Sequence, residues 1–201
     1  MSSADSDPPL PGLRERKKAR TQAAIQREAL RLFRERGYDA TTVDDIAAAA
    51  EVSPSTFFRY FPSKEDVVIE DLNDPLVIEA FKAQPAELSP GRALANAMRQ
   101  VFSALTPQQI EEDRERQALI FANPALRARM INEVANIVTM LTGLIAERTG
   151  RSGDDLDVRI FSGALLGMAF GLMLTTPGAH QDSMIDLMEI GLERLENGIR
   201  L

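Results

Sequence analysis

A chain of 201 residues with 44% hydrophobic side chains is long enough for one large or two small domains with a sizeable core. It holds no cysteine, which excludes disulfides and thiolate metal sites, and its acidic, proline-bearing start does not read as a secretory leader, so a cytoplasmic protein is expected. The net charge of −7 is unevenly spread: residues 14–64 carry 11 Lys/Arg against 7 Asp/Glu, whereas residues 65–201 carry 12 against 21. A basic head on an acidic body sets a positive field where phosphates would sit, although the same cations serve equally as the solvated face of a helix.

Residues 1–13 are rich in Ser, Asp and Pro and too poor in apolar side chains to fold, so a disordered arm is expected there. From Arg14 to Arg36 the spacing of Ile25, Ala29, Leu32 and Phe33 predicts a helix stopped by Gly37. Val43, Ile46, Ala47 and Ala50 then fall at i, i+3, i+4 and i+7 behind Thr42, the pattern of a short helix with a threonine N-cap. Glu51 and Val52 interrupt it, and Ser53-Pro54 restarts it, because a serine oxygen accepts an orphan amide and proline at N1 has none to satisfy. In this second helix Phe57 and Phe61 share one side. Ser53, Ser55, Thr56, Phe58, Arg59 and Tyr60 are left for the other, the residue types with which a recognition helix meets phosphates and base edges. Ser63 caps one more helix, on which Val68 and Leu72 face back toward the first three, and Lys64 beside its N-terminus is placed for a phosphate.

Further on, Asp74-Pro75, Ser89-Pro90, Thr106-Pro107 and Asn123-Pro124 repeat the device of a capping residue followed by proline. Helices are expected near 75–83, 90–105, 107–121, 124–149, 154–176 and 181–200, with Gly150 and Pro177-Gly178 as stops. Nothing alternates like a strand, so the fold class is all-α with about ten helices. The domains read as the arm 1–13, a DNA-binding head 14–76 and a body 77–201. The longest uncharged apolar run, residues 160–177, falls short of the ~20 residues a membrane span needs, and no membrane partner is expected.

The ordered set Gly37-Tyr38, Thr42-Val43, Ile46-Ala47, Ala50, Val52-Ser53, Thr56-Phe57, Tyr60-Phe61 and Ser63-Lys64-Glu65 resembles the DNA-binding domain of TetR-family transcriptional regulators, over roughly Lys17 to Leu76. Glu51 departs from the family's pattern, standing where a glycine often makes the turn, and would be strained if that turn needs a positive φ. Phe58 departs too, standing where a tyrosine hydroxyl often meets a phosphate. The resemblance implies a homodimeric repressor of a palindromic operator in double-stranded DNA, released by a small hydrophobic effector. The run from Ala118 to Met130 is similar to a subgroup that responds to acyl-coenzyme-A-like molecules, which implies an effector of that kind.

The body offers two further sets of candidates. Met98, Phe102, Phe121 and Met140 are adaptable apolar side chains suited to lining a cavity, and Arg99, Gln117 and Asn136 lie beside them, together with Arg116 and Thr139; a bound ligand would satisfy any that point inward. Plain core packing accounts for the apolar members as well. Gly163, Gly167 and Gly171 recur every four residues on a helix that is apolar all round, and Met184, Met188, Leu192, Leu195 and Ile199 form a seam on the last one. A four-helix bundle across a two-fold axis would cover both, the alternative being glycines that pack within one subunit.

Catalysis is not expected. The single histidine, His180, lies in a loop; Asp154, Asp155 and Asp157 open a helix, where they complement its dipole; and Glu111, Glu112, Asp113 and Glu115, alternating with Arg114 and Arg116, read as a solvated face. No metal or cofactor is implied. The competing reading is an all-α small-molecule binding protein with a degenerate head.

Overall fold

A computed structural model describes residues 12–175 and 181–198. Residues 1–11 of the expected arm over 1–13, the stop at Pro177-Gly178, His180 and Ile199 lie outside the described residues, as does the side chain of Met184, while Leu13, the last residue of that arm, already begins the first helix. All elements within the described residues are helical, and the chain divides into two compact units after Glu70.

The first unit holds α1 (Leu13–Arg36), α2 (Val43–Ala49), α3 (Pro54–Tyr60) and α4 (Lys64–Ile69). Their shared core is Ile25, Ala29, Leu32, Phe33, Ile46, Phe57, Phe61, Val67 and Val68, all buried. Side-chain capping decides the starts of α2, α3 and α4. Thr42 and Asp45 form a reciprocal capping box at α2, Ser53 accepts the amide of Thr56 at 3.1 Å, and Ser63 accepts that of Asp66 at 3.2 Å. The Gln26 amide ties α4 down by donating to the carbonyls of Val67 and Glu70 at 2.9 and 2.8 Å.

The turn between α2 and α3 is the strained point of this unit. Val52 N–H reaches back to the Ala47 carbonyl and Glu51 N–H to that of Ala48, the paired bonds of a Schellman motif. That motif needs its pivot in the left-handed region. Glu51 sits there at φ 55°, the one non-glycine residue with positive φ among the described residues. The end of α8 makes the same pair of bonds, Arg151 to Ala146 and Gly150 to Glu147, around Gly150 at φ 65°.

The second unit holds α5 (Asp74–Lys82), α6 (Pro90–Phe102), α7 (Pro107–Ala122), α8 (Pro124–Thr149), α9 (Leu156–Thr175) and α10 (Gln181–Asn197). The boundary falls ahead of α5 rather than within it, because Ala80 and Phe81 pack on Ala93 and Ala97 of α6. α6 runs through the middle with small residues, Gly91, Ala93, Ala95 and Ala97, buried against α5, α8 and α10. It ends at Phe102 instead of residue 105, since Ser103–Leu105 close into a tighter turn. Glu196 of α10 caps its start, accepting from Ser89 Oγ and Gly91 N at 2.6 Å each. Ile145, Val158, Leu165 and Leu192 form the second cluster, joining α8, α9 and α10.

Two sequence expectations change here. The stretch 111–116 is not simply a solvated face: Arg116 is 6% exposed and its guanidinium bonds Asp71 and Asp113 at 2.6 Å each. A buried cation persists only where carboxylates replace its water. The α10 seam also turns inward. Met188 and Leu192 are buried within the subunit, because Gly191 lets the Met168 sulfur of α9 approach into space that a Cβ would occupy.

Candidate functional site

α3 separates its residues by face. Phe57 and Phe61 are fully buried, their rings 6.0 Å apart, while Ser53, Ser55 and Arg59 are exposed, Phe58 is 53% exposed, and Thr56 and Tyr60 are half-exposed. Ser53 Oγ lies 2.9 Å from both Ser55 Oγ and Thr56 Oγ1, so three hydroxyls cluster at the helix start. The Arg59 guanidinium stacks over the Tyr60 ring at 5.1 Å, which holds a cation at the other end. All six side chains expected on this surface are therefore brought together. Arg14, Arg16, Lys17, Lys18 and Arg20 are carried along the start of α1, a second basic strip on the same unit.

Thr42 and Lys64 are committed elsewhere. The Thr42 hydroxyl is occupied with Asp45, donating at 2.5 Å and accepting its amide at 3.2 Å. Lys64 Nζ donates to the carbonyls of Tyr38 and Thr41 at 2.9 and 3.1 Å and stands 4.2 Å above the Tyr38 ring. The ammonium expected at a phosphate is engaged here in a clamp on the turn after α1, where two backbone carbonyls and an aromatic face compete with open solvent for it. Tyr38 completes the clamp by donating to Glu65 Oε1 at 2.8 Å; burial and that carboxylate hold its phenol well above its ordinary pKa. The signal was present in the sequence as Tyr38 and Lys64, but nothing in their spacing reveals that they meet.

Within the second unit, α5, α6, α8 and α9 line a half-open cavity of about 250 Å³. Met98, Phe102 and Met140 line it, as expected. Arg99, Gln117, Phe121 and Asn136 do not, and each of the polar three has a partner in the chain. Arg99 forks onto Glu189 and Asp186 of α10, Gln117 donates to Asp113 at 2.7 Å, and Asn136 donates to Glu133 at 2.7 Å. Thr139 donates to the Ala135 carbonyl. The wall that sequence reasoning missed is α5, with Asp74, Val77, Ile78 and Phe81. Their i, i+3, i+4 and i+7 spacing marks one helical face, which is the available signal.

α9 leaves a stripe uncovered. Leu156, Ile160 and Leu174 are exposed, Ile160 by 60%, and Cβ atoms built on Gly163, Gly167 and Gly171 would meet nothing within 4 Å among the described residues. Among the described residues no helix is long and apolar enough to cross a membrane.

A helix-turn-helix head with a polar, cationic recognition face, joined to a helical body containing an apolar cavity, defines a DNA-binding regulator with a sensor body. The comparisons agree. Residues 25–70 match the family model of bacterial regulatory proteins, tetR family, and residues 88–200 match that of the MftR C-terminal domain. The chain is 36% identical to the HTH-type transcriptional regulator TcmR of Streptomyces glaucescens over 169 residues, 77% of this chain and 75% of that protein. It is 25% identical to the regulator Mb3439c of Mycobacterium bovis, over 82% and 78% of the two. Among solved structures it is similar to Thermus thermophilus FadR, a TetR-family repressor in complex with lauroyl-CoA, at 24% identity, with 90% and 95% covered and a TM-score of 0.53. The chain belongs to the TetR family of transcriptional regulators, which is a family of DNA-binding proteins and not of enzymes.

Proposed function

We propose that this protein is a homodimeric repressor, working in the cytoplasm, that holds a palindromic operator through α3 and releases it when a small hydrophobic molecule enters the body. The observation that carries the reading is the division of α3: two fully buried phenylalanines fix the helix in place, and that leaves Ser53, Ser55, Thr56, Phe58, Arg59 and Tyr60 to meet a major groove. The α9 stripe supports the dimer, since glycines with no neighbour among the described residues, beside exposed Leu and Ile, suit a close helix approach from a second copy. Two recognition helices about one turn of DNA apart, or a multiple of it, then read a two-fold symmetric site. The apolar cavity supports the effector, whose differential affinity for the free and DNA-bound states would couple occupancy to release. An acyl-coenzyme-A-like molecule finds walls for its chain there but no cation among the lining residues for its phosphates. The test is to sequence the genomic fragments retained by the purified protein. Enrichment of one inverted repeat is expected; random fragments would reject the reading and favour a binding protein with a degenerate head.

A further inference from the structure

The outward face of α3 carries one side chain that differs chemically from its neighbours. Ser53, Ser55, Thr56, Arg59 and Tyr60 all offer hydrogen bonds or charge, whereas Phe58, in the middle of them, is 53% exposed and offers neither. Its ring is held in that position. It stands edge-on to Phe57, with centroids 5.4 Å apart and planes at 85°, and Phe57 is itself fully buried. Side chains on a helix lean toward its N-terminus, so the phenyl is carried over the turn of Pro54 and Ser55, the end of a recognition helix that meets base edges.

An apolar ring pressed against DNA needs an apolar counterpart. Against a phosphate it would displace water from a charge and return no hydrogen bond, and the same holds for the donors and acceptors that line the major groove. The thymine C5-methyl is the apolar group that a base pair presents there. We infer that Phe58 is a specificity-determining residue that packs on a thymine methyl, once in each half of the operator. The inference rests on the reading of α3 as the operator-binding helix, and adds to it that the operator carries thymine at one symmetry-related pair of positions, recognised by its methyl group. Thr56 also brings a methyl to this face, and its hydroxyl is engaged with Ser53, so it is the natural control.

The test uses the full chain and duplex oligonucleotides bearing the inverted repeat recovered from the retained genomic fragments. Each thymine of one half-site, together with its symmetry mate, is replaced by deoxyuridine, which removes the methyl and leaves every hydrogen-bonding group in place. Affinity read by fluorescence anisotropy at one salt concentration should fall at one pair of positions by about ten-fold, or roughly three- to four-fold per buried methyl. That loss should vanish in Phe58→Ala and in Phe58→Gln, whose long side chain is polar, and persist in Thr56→Ser. Far-UV circular dichroism matching the parent shows that the variants are folded. Indifference of the parent to every deoxyuridine, a loss that survives both Phe58 variants, or one that vanishes only in Thr56→Ser would overturn the inference. A repeat that is bound tightly but whose methyls go unread refutes this inference alone, whereas recovery of no inverted repeat would refute the operator reading and this inference with it.

Discussion

Glu51→Gly should make the head more stable, and the size of the gain follows from the turn itself. Glu51 holds the left-handed pivot of a Schellman motif at φ 55°, where a side chain with a Cβ costs about 1–2 kcal/mol. Gly150 carries the same two hydrogen bonds at φ 65°, so the geometry needs no side chain. Glycine also loses more freedom on folding, which offsets about 0.5–1 kcal/mol. The net expectation is a stabilisation of about 0.5–1 kcal/mol, or roughly 1–4 °C for a chain of this size. The assay can be confined to the head: the chain has two tyrosines and no tryptophan, and both Tyr38 and Tyr60 lie in the first unit. Urea unfolding followed by tyrosine fluorescence should therefore show a higher midpoint for Glu51→Gly and no gain for Glu51→Ala, which keeps the Cβ. An equal gain for Ala would mean that charge, not backbone conformation, sets the effect. A loss for Gly would refute the strain argument.

Three other expectations concern separate parts of the molecule. Arg116→Ala strands the Asp71 and Asp113 carboxylates in a largely dry setting and should cost about 3–5 kcal/mol in thermal or denaturant unfolding of the body; a loss below about 1 kcal/mol would contradict a buried triad. Gly167→Leu adds a side chain whose Cβ meets nothing within 4 Å among the described residues, so it should leave helix content intact and shift the sedimentation mass from dimer to monomer; an unchanged dimer would put the interface elsewhere. Stability should fall as pH rises above about 10, because the unfolded chain then releases the Tyr38 proton while the folded state, with the phenol buried against Glu65, retains it. Tyr38→Phe should flatten that slope in unfolding measurements between about pH 9 and 11.

Helix starts were legible in the sequence because they depend on neighbours in the chain. Ser53, Ser63, Thr106 and Asn123 cap where their spacing says they should, since an N-cap oxygen reaches only the next turn. The recognition face was legible for the same reason: Phe57 and Phe61 fix one side of a helix and thereby define the other. Glu51 was legible as a strained turn through its place in the family pattern. What escaped were pairings between distant positions. Lys64 with Tyr38, Arg116 with Asp71, and Arg99 with Glu189 each join residues whose meeting is set by helix packing, so a polar side chain beside an apolar stripe looked like a ligand contact when its partner was already in the chain. The α10 seam misled differently. Periodicity finds an apolar face but not its cover, and here Met168 of the same subunit supplies it.

The central claim is that the outward face of α3 lies against DNA phosphates and bases. Its most direct test is the salt dependence of operator binding by the parent and by Arg59→Ala, whose exposed guanidinium supports no core residue. Log affinity should fall linearly with log salt for the parent, and removing one cation from a phosphate should make the slope shallower by about 0.9. The account predicts that change, together with about ten-fold weaker binding for the variant at low salt. Parent and variant lines that superimpose would contradict it.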